Sequence, residues 1–426
     1  MKSRLLLLTL SCLFSIFANA QEDYGRKIVK ELASAKYYGR GYVFDGDRKA
    51  AKFIANEFQK NGIEPLSGTN GYYQHFTLSP NIFPKETRLQ IDGKSLQVGK
   101  DFLIDAASKT KKGKFEWVKL STAQFTKENL LTNVSKSSDF NGKFIYIEER
   151  EFLEKFGADL FKSLLDRLKK EGRHEGMIVN SSQKLLWRTL TYQIEKPVFY
   201  LKDYDQIRTT GTIDINIISE QINNYQTQNV CGFLKGTGDT DSTIVITGHY
   251  DHIGAIGKKV IFKGANDNAS GTAMLLYLSQ YLKKNPIKYN VVFLAFSAEE
   301  SGLLGSKYFA ENSLIDLKKI KFLLNLDMAG TGDDGIQVVN GSIFKNHFDK
   351  LVALNAQYKL LPDVKIRGEM NRSDHYPFFE RGVPCFFIYT LGGIDAYHDI
   401  YDVYETLPFT NFTNYANLLS KFIEQL

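Results

Sequence analysis

Two imidazoles and three carboxylates in the second half of this 426-residue chain have the types and settings of metal ligands: His249, Asp267, Glu300, Asp327 and His398. Each stands where a strand or helix is expected to start or stop. Such a set can ligate two divalent cations that share one carboxylate, and a further acid, Glu299, is left over to carry a proton. That inventory is what hydrolysis by a two-metal centre requires, so the set reads as that of a zinc hydrolase.

The local text gives each residue a setting. Gly248-His249-Tyr250-Asp251-His252 follows an apolar run, which puts His249 just past a strand end and leaves Asp251 two residues on. Asp251 is expected to hold the free ring nitrogen of a metal-bound His249, which fixes its tautomer. Ordinary loop histidines are the competing reading of this short stretch. In Gly264-Ala265-Asn266-Asp267-Asn268-Ala269-Ser270-Gly271, helix capping accounts for Asn268 or Ser270 but not for the small residues crowding Asp267. There Asp267 is placed to bridge two cations. Glu299 and Glu300 adjoin after another apolar strand, a costly pairing unless positive charge offsets it. With metals present, Glu300 ligates and Glu299 accepts a proton from water. Asp327 ends a third apolar strand, and Tyr397-His398-Asp399 follows the last one. His398 can complete the second cation, and the Tyr397 hydroxyl can donate to an oxyanion.

The elements that must position these residues alternate. Strands are expected over 241–247, 289–296, 320–326, 335–339 and 385–389, with helices over 270–284, 303–311, 342–357 and 411–425. This is an α/β pattern: a mixed, mostly parallel central sheet with helices on both faces, whose sites form at the strands' carboxyl ends. We expect a signal peptide over 1–20, a helical and extended part over 21–94 that packs on the catalytic domain, an inserted, mostly β accessory domain over 95–220 with one helix near 161–171, and a catalytic domain over 221–426.

Composition bounds the rest. Lys2 and Arg4, the apolar run Leu5 to Phe17 and Ala18-Asn19-Ala20 form a cleavable export signal, which leads us to expect a periplasmic or secreted protein starting at Gln21. Cys12 in that run is a poor match for a lipid-attachment cysteine. No later stretch approaches the roughly 20 apolar residues of a membrane helix. The formal charge of +6 falls to +4 when Lys2 and Arg4 leave. With no basic run interleaved with aromatics, nucleic acid is not an expected partner. Cys231 and Cys385 lie in apolar strand-like text and are read as buried thiols without a bridge.

Taken in order, GHYDH, GANDNASG, SAEESGLLGS, NLDMAG, SDHYPFF and the His398 loop resemble the catalytic domain of the aminopeptidase Y/aminopeptidase S family of co-catalytic zinc exopeptidases. That family also includes glutamate carboxypeptidases and glutaminyl cyclases. The resemblance implies that His249 and Asp327 hold one zinc, Glu300 and His398 the other, with Asp267 bridging and Glu299 as general base. It further implies peptide substrates, a place near the substrate for Asn371 to His375 (a helix N-cap being the competing reading), and a likeness of the insert to protease-associated domains. Two other readings stay open at this point. A single-zinc glutaminyl cyclase would keep much the same residues, although Tyr397 stands where cyclases place Trp. A non-catalytic binding ectodomain would usually have lost ligands, and all five positions are filled.

Overall fold

The computed structural model of the chain describes residues 22–205 and 208–426. The expected signal segment 1–20 and Cys12 lie outside the described residues. No helix among the described residues is long and apolar enough to cross a membrane.

The main sheet has nine strands. Eight are labelled here in chain order: β1 (Tyr73–Leu78), β2 (Tyr225–Leu234), β3 (Thr243–His249), β4 (Asn290–Phe296), β5 (Ile320–Leu326), β6 (Ile336–Val339), β7 (Val364–Ile366) and β8 (Cys385–Thr390). Across the sheet the order is β2-β4-β3-β5-β8-β6-β7, with β1 and the short strand Glu64–Pro65 both pairing with β2. The four central strands β4, β3, β5 and β8 are mutually parallel, while β1, β2 and β6 join antiparallel. The sheet is therefore mixed, with its parallel part in the middle.

Alternation along the central strands explains their two-sided burial. Ile244 and Ile246, Phe293 and Ala295, and Phe322 and Leu324 face a core shared with helices Gly271–Lys284, Lys345–Tyr358 and Phe412–Glu424. Val245, Val292, Leu294 and Leu323 face a second core with Phe309 and Phe378. A strand with both faces covered reads as an unbroken apolar run, which is why these strands were visible in the sequence. The N-terminal part has no core of its own. Ile28, Val29, Ala51, Ile54 and Phe58 join the first of these cores. Cys231 and Cys385 are free and buried.

Residues 88–217 build a second sheet of eight strands, in which Lys111–Lys119, Phe144–Glu148, Gly176–Ser181 and Val198–Lys202 run parallel. Two expectations are corrected here. The sheet takes in Arg88–Ile91, so a boundary at 95 would cut off one of its strands. Three helices, Leu130–Val134, Glu149–Phe156 and Ala158–Leu168, cover one face where a single helix was expected. Phe152 and Phe156, one helical turn apart, bury the second of these, which only Gly157 separates from the next. The other face packs Trp187, Ile178 and Phe199 together with Ile253, Ile256 and Phe262 of the part that carries the main sheet.

Candidate metal centre

The carboxyl ends of β3, β4, β5 and β8 lie side by side, and the predicted ligands gather there. Strand β3 runs two residues beyond the expected Thr247, so His249 is its last residue rather than a loop residue just past its end. Glu299 and Glu300 follow β4, Asp327 follows β5, and His398 comes from the loop after β8. Asp267 comes from the turn 265–270 that leads into helix Gly271–Lys284. The small residues around it have a steric reason. A Cβ on Gly264, at φ +57°, would lie 2.2 Å from the Asp267 carbonyl oxygen, and one on Gly271 2.2 Å from Asn268 Oδ1.

Asp267 sits between two groups. Its Oδ1 is 3.4 Å from His249 Nε2, which is also 3.4 Å from Asp327 Oδ1. Its Oδ2 is 3.1 Å from His398 Nε2, which is 3.0 Å from Glu300 Oε2. Candidate ligand atoms of His249, Glu299 and Asp327 lie within 4.8 Å of one another, as do those of His252, Asp267, Glu300 and His398. All five predicted ligands are thus brought together, with Glu299 beside them.

The electrostatics fit bound cations. Buried carboxylates of Asp251, Asp267, Glu299, Glu300, Asp327 and Asp374 face the imidazoles of His249, His252 and His398. The nearby buried Arg40 gives its guanidinium to the carbonyls of Leu32, Tyr250, Lys263 and Gly264. So much buried negative charge needs compensation by paired cations or metals, and the His and carboxylate donors are those zinc takes. Burial pushes Glu299 well above the usual carboxylate range, against the pull of His249 and with Asp374, Glu300 and Asp327 adding to the rise. For Glu300, burial acts the same way but His398 and His252 outweigh it and hold the group at about 2. Two adjacent carboxylates are thus driven apart in acidity, which suits one to hold a cation and the other to take a proton.

Asp251 does not act as expected. Its carboxylate is 3.8 Å from His249 Nδ1, whereas its backbone carbonyl is 3.1 Å away. The carboxylate instead accepts the amides of Glu299 at 3.1 Å and Glu300 at 3.4 Å. The turn after β4 presents two free amides there, and the two-residue spacing folds the carbonyl back under the ring. Tyr397 stacks on His398 with ring centroids 4.0 Å apart. Burial and the neighbouring carboxylates raise its pKa, so the phenol keeps its proton. Both line a cavity of about 260 Å3 with His249, Glu299, Arg367 and Arg372. Of the 371–375 segment, Arg372 faces this cavity and Ser373 Oγ donates to Asp327 Oδ2 at 3.0 Å. The capping reading fails, since the cap of helix Tyr376–Phe379 is His375, without a side-chain cap bond.

Several supporting residues escaped the sequence reading. His252 Nδ1 lies 2.8 Å from Glu300 Oε1, and its place in the GHYDH text was the available signal. Asp402 accepts the amides of Asn266 and Asp267 at 2.8 and 3.0 Å. Arg40 and Asp402 had no local signal.

The chain is similar to known proteins in sequence and in fold. Residues 229–423 match the profile of Peptidase family M28. Aminopeptidase YwaD of Bacillus subtilis (strain 168) is 27% identical over 301 residues, covering 69% of this chain and 63% of that protein. A probable leucine aminopeptidase 2 of Aspergillus oryzae is 27% identical over 43% of this chain and 38% of its own length. The chain therefore spans less than two thirds of these curated relatives. Among solved structures, BSAP, a zinc aminopeptidase from Bacillus subtilis, superposes with a TM-score of 0.67 at 19% identity, over 95% of this chain and 94% of that one. At that identity the likeness concerns the fold. The segment that resembles peptidase family M28, residues 229–423, holds every predicted ligand.

Proposed function

We propose that this chain is an exported zinc metallo-aminopeptidase that hydrolyses N-terminal peptide bonds. The observation that carries the reading is Asp267, whose two oxygens face two separate ligand pairs, His249 with Asp327 and Glu300 with His398. On this reading the chain holds two Zn2+ ions with Asp267 between them. When bound, two such ions polarise the scissile carbonyl and acidify a shared water.

The chain's own groups do the rest. Glu299 takes the proton of the attacking water on a carboxylate oxygen and delivers it to the leaving amine as the C–N bond breaks. Its raised pKa, set first by burial, suits it to hold that proton in transit. Tyr397 donates its hydroxyl proton to the developing oxyanion. The Asp251 carboxylate keeps the Glu299–Glu300 turn in place through the two amides it accepts. Export rests on the opening text, Lys2 and Arg4 before Leu5 to Phe17 and Ala18-Asn19-Ala20. N-terminal sequencing of the mature protein is expected to begin at Gln21.

Glu299→Gln is expected to keep the fold and two zinc ions while losing roughly two to four orders of magnitude in kcat. Near-normal turnover would remove Glu299 from its role. Peptides starting with Leu and with Gln test the reaction type: release of free Leu supports the reading, and cyclisation of the Gln peptide alone would overturn it.

A further inference from the structure

The segment 182–197 leaves the inserted sheet between strands Gly176–Ser181 and Val198–Lys202 and crosses to the catalytic loops. It is anchored by Trp187, whose indole N–H donates to the Ile104 carbonyl at 2.9 Å and whose ring stacks on Phe262 at 4.8 Å. Three of its residues then reach one side of the metal centre. The Trp187 amide donates to the carbonyl of His398 at 2.9 Å. Thr189 Oγ1 donates to the carbonyl of Glu300 at 3.2 Å and pairs with Ser301 Oγ at 2.8 Å. Lys184 Nζ lies 2.7 Å from Oδ2 of the buried Asp399. Oδ1 of Asp399 accepts the amides of Tyr401 and Asp402 at 2.8 and 3.1 Å, and the Asp402 carboxylate holds the amides of Asn266 and Asp267.

Asp267, Glu300 and His398 are therefore each braced from the insert. His398 has a positive φ of +50°, a conformation that a non-glycine residue keeps only when its surroundings hold it. The Trp187 amide on its carbonyl is such a restraint. Among the described residues, no bond from the insert reaches His249 or Asp327 directly: they are held by Thr272 and Ser373 of the main-sheet part.

We propose that the inserted domain is a positioning device for half of the metal centre, with segment 182–197 as a strap that sets Asp267, Glu300 and His398. This rests on the two-cation reading above. Both positions share Asp267, but the position of Glu300 and His398 carries two further braces from the insert and is therefore the more dependent on it.

Zinc titration of the metal-free protein tests this. Wild type is expected to show two binding events. Lys184→Met is expected to weaken one of them by about tenfold or more and the other distinctly less, as removal of an outer partner of metal ligands does, and Lys184→Arg to restore both. Lys169→Met, which breaks the Lys169–Asp105 pair inside the insert, is expected to change neither. Equal weakening of both events, no weakening, or the same loss in Lys169→Met would overturn the strap. Thr189→Val serves in the same assay if Lys184→Met does not fold. Amide exchange in the metal-free state gives a reading without zinc: Lys184→Met is expected to speed exchange at Asn266, Asp267, Tyr401 and Asp402 and to spare Glu299. Unchanged exchange there would overturn the strap, whereas wild type binding fewer than two ions would overturn the two-cation reading.

Discussion

The two sides of the centre are built differently. His249 ends β3 and Asp327 directly follows β5, so both ride on neighbouring parallel strands whose side chains are buried on both faces. Their supports are close at hand: Thr272 Oγ1 on the His249 carbonyl at 3.0 Å and a relay from Thr247 through Asn325 and Ser373 to Asp327. His398 instead comes from a loop eight positions past the end of β8, and Asp267 from an irregular turn. That side is held by long-range partners, Arg40, Asp402, His252 and the strap from the insert. Ligands on a sheet inherit its rigidity, while ligands on loops need second and third elements to fix them.

The largest expected effect comes from Arg40. It ties the N-terminal segment to the Lys263 and Gly264 carbonyls from a fully buried position. Arg40→Met removes the donor to the Lys263 carbonyl and one of two donors to the Gly264 carbonyl, which also accepts the Ala269 amide, and a loss on the order of 3–5 kcal/mol in urea unfolding is expected. A loss below about 1 kcal/mol would mean that the loop side stands without it.

Asp47 supports the turn shared by both sides, since Thr227 Oγ1 donates to its carboxylate at 2.7 Å and pairs with Ser297 Oγ at 2.9 Å. Burial raises the Asp47 pKa from 3.8 to about 6, against hydrogen bonds from Tyr225 and Thr227. A raised carboxylate costs stability once ionised. The cost is absent below the unfolded value, grows as pH rises from about 4 to 6, and is complete above that. Comparing unfolding of wild type and Asp47→Asn across this window should show a difference on the order of 2–3 kcal/mol that disappears at acid pH. A pH-independent difference would contradict it.

Ser373→Ala sharpens the comparison from the sheet side. It removes the bond to Asp327 and is expected to weaken most, about tenfold, the zinc event that Lys184→Met weakens least. If both substitutions weaken the same event most, the division into two sides is wrong.

Much of the sheet side was legible in the sequence. Strands covered on both faces are continuous apolar runs, and β5 spans the 320–326 expected. Acids and His at their ends stand out as the polar residues that close these apolar runs. The loop ligands Asp267 and His398 were legible through motif text, with small residues marking the first. What holds the loop side was not. Arg40 bonds to Gly264 across 224 positions, and Lys184 reaches Asp399 from the segment between two strands of the second sheet. Neither residue carries a periodicity or spacing that reports its partner. The Asp251 assignment failed for a related reason: the sequence fixes which residues are neighbours, not whether carbonyl or carboxylate turns toward the ring.

The most direct measurement is anomalous diffraction at the zinc edge from crystals of the metal-loaded protein. The account predicts two peaks on either side of the Asp267 carboxylate, one against His249 and Asp327 and the other against Glu300 and His398. A single peak, or peaks away from these side chains, would contradict it.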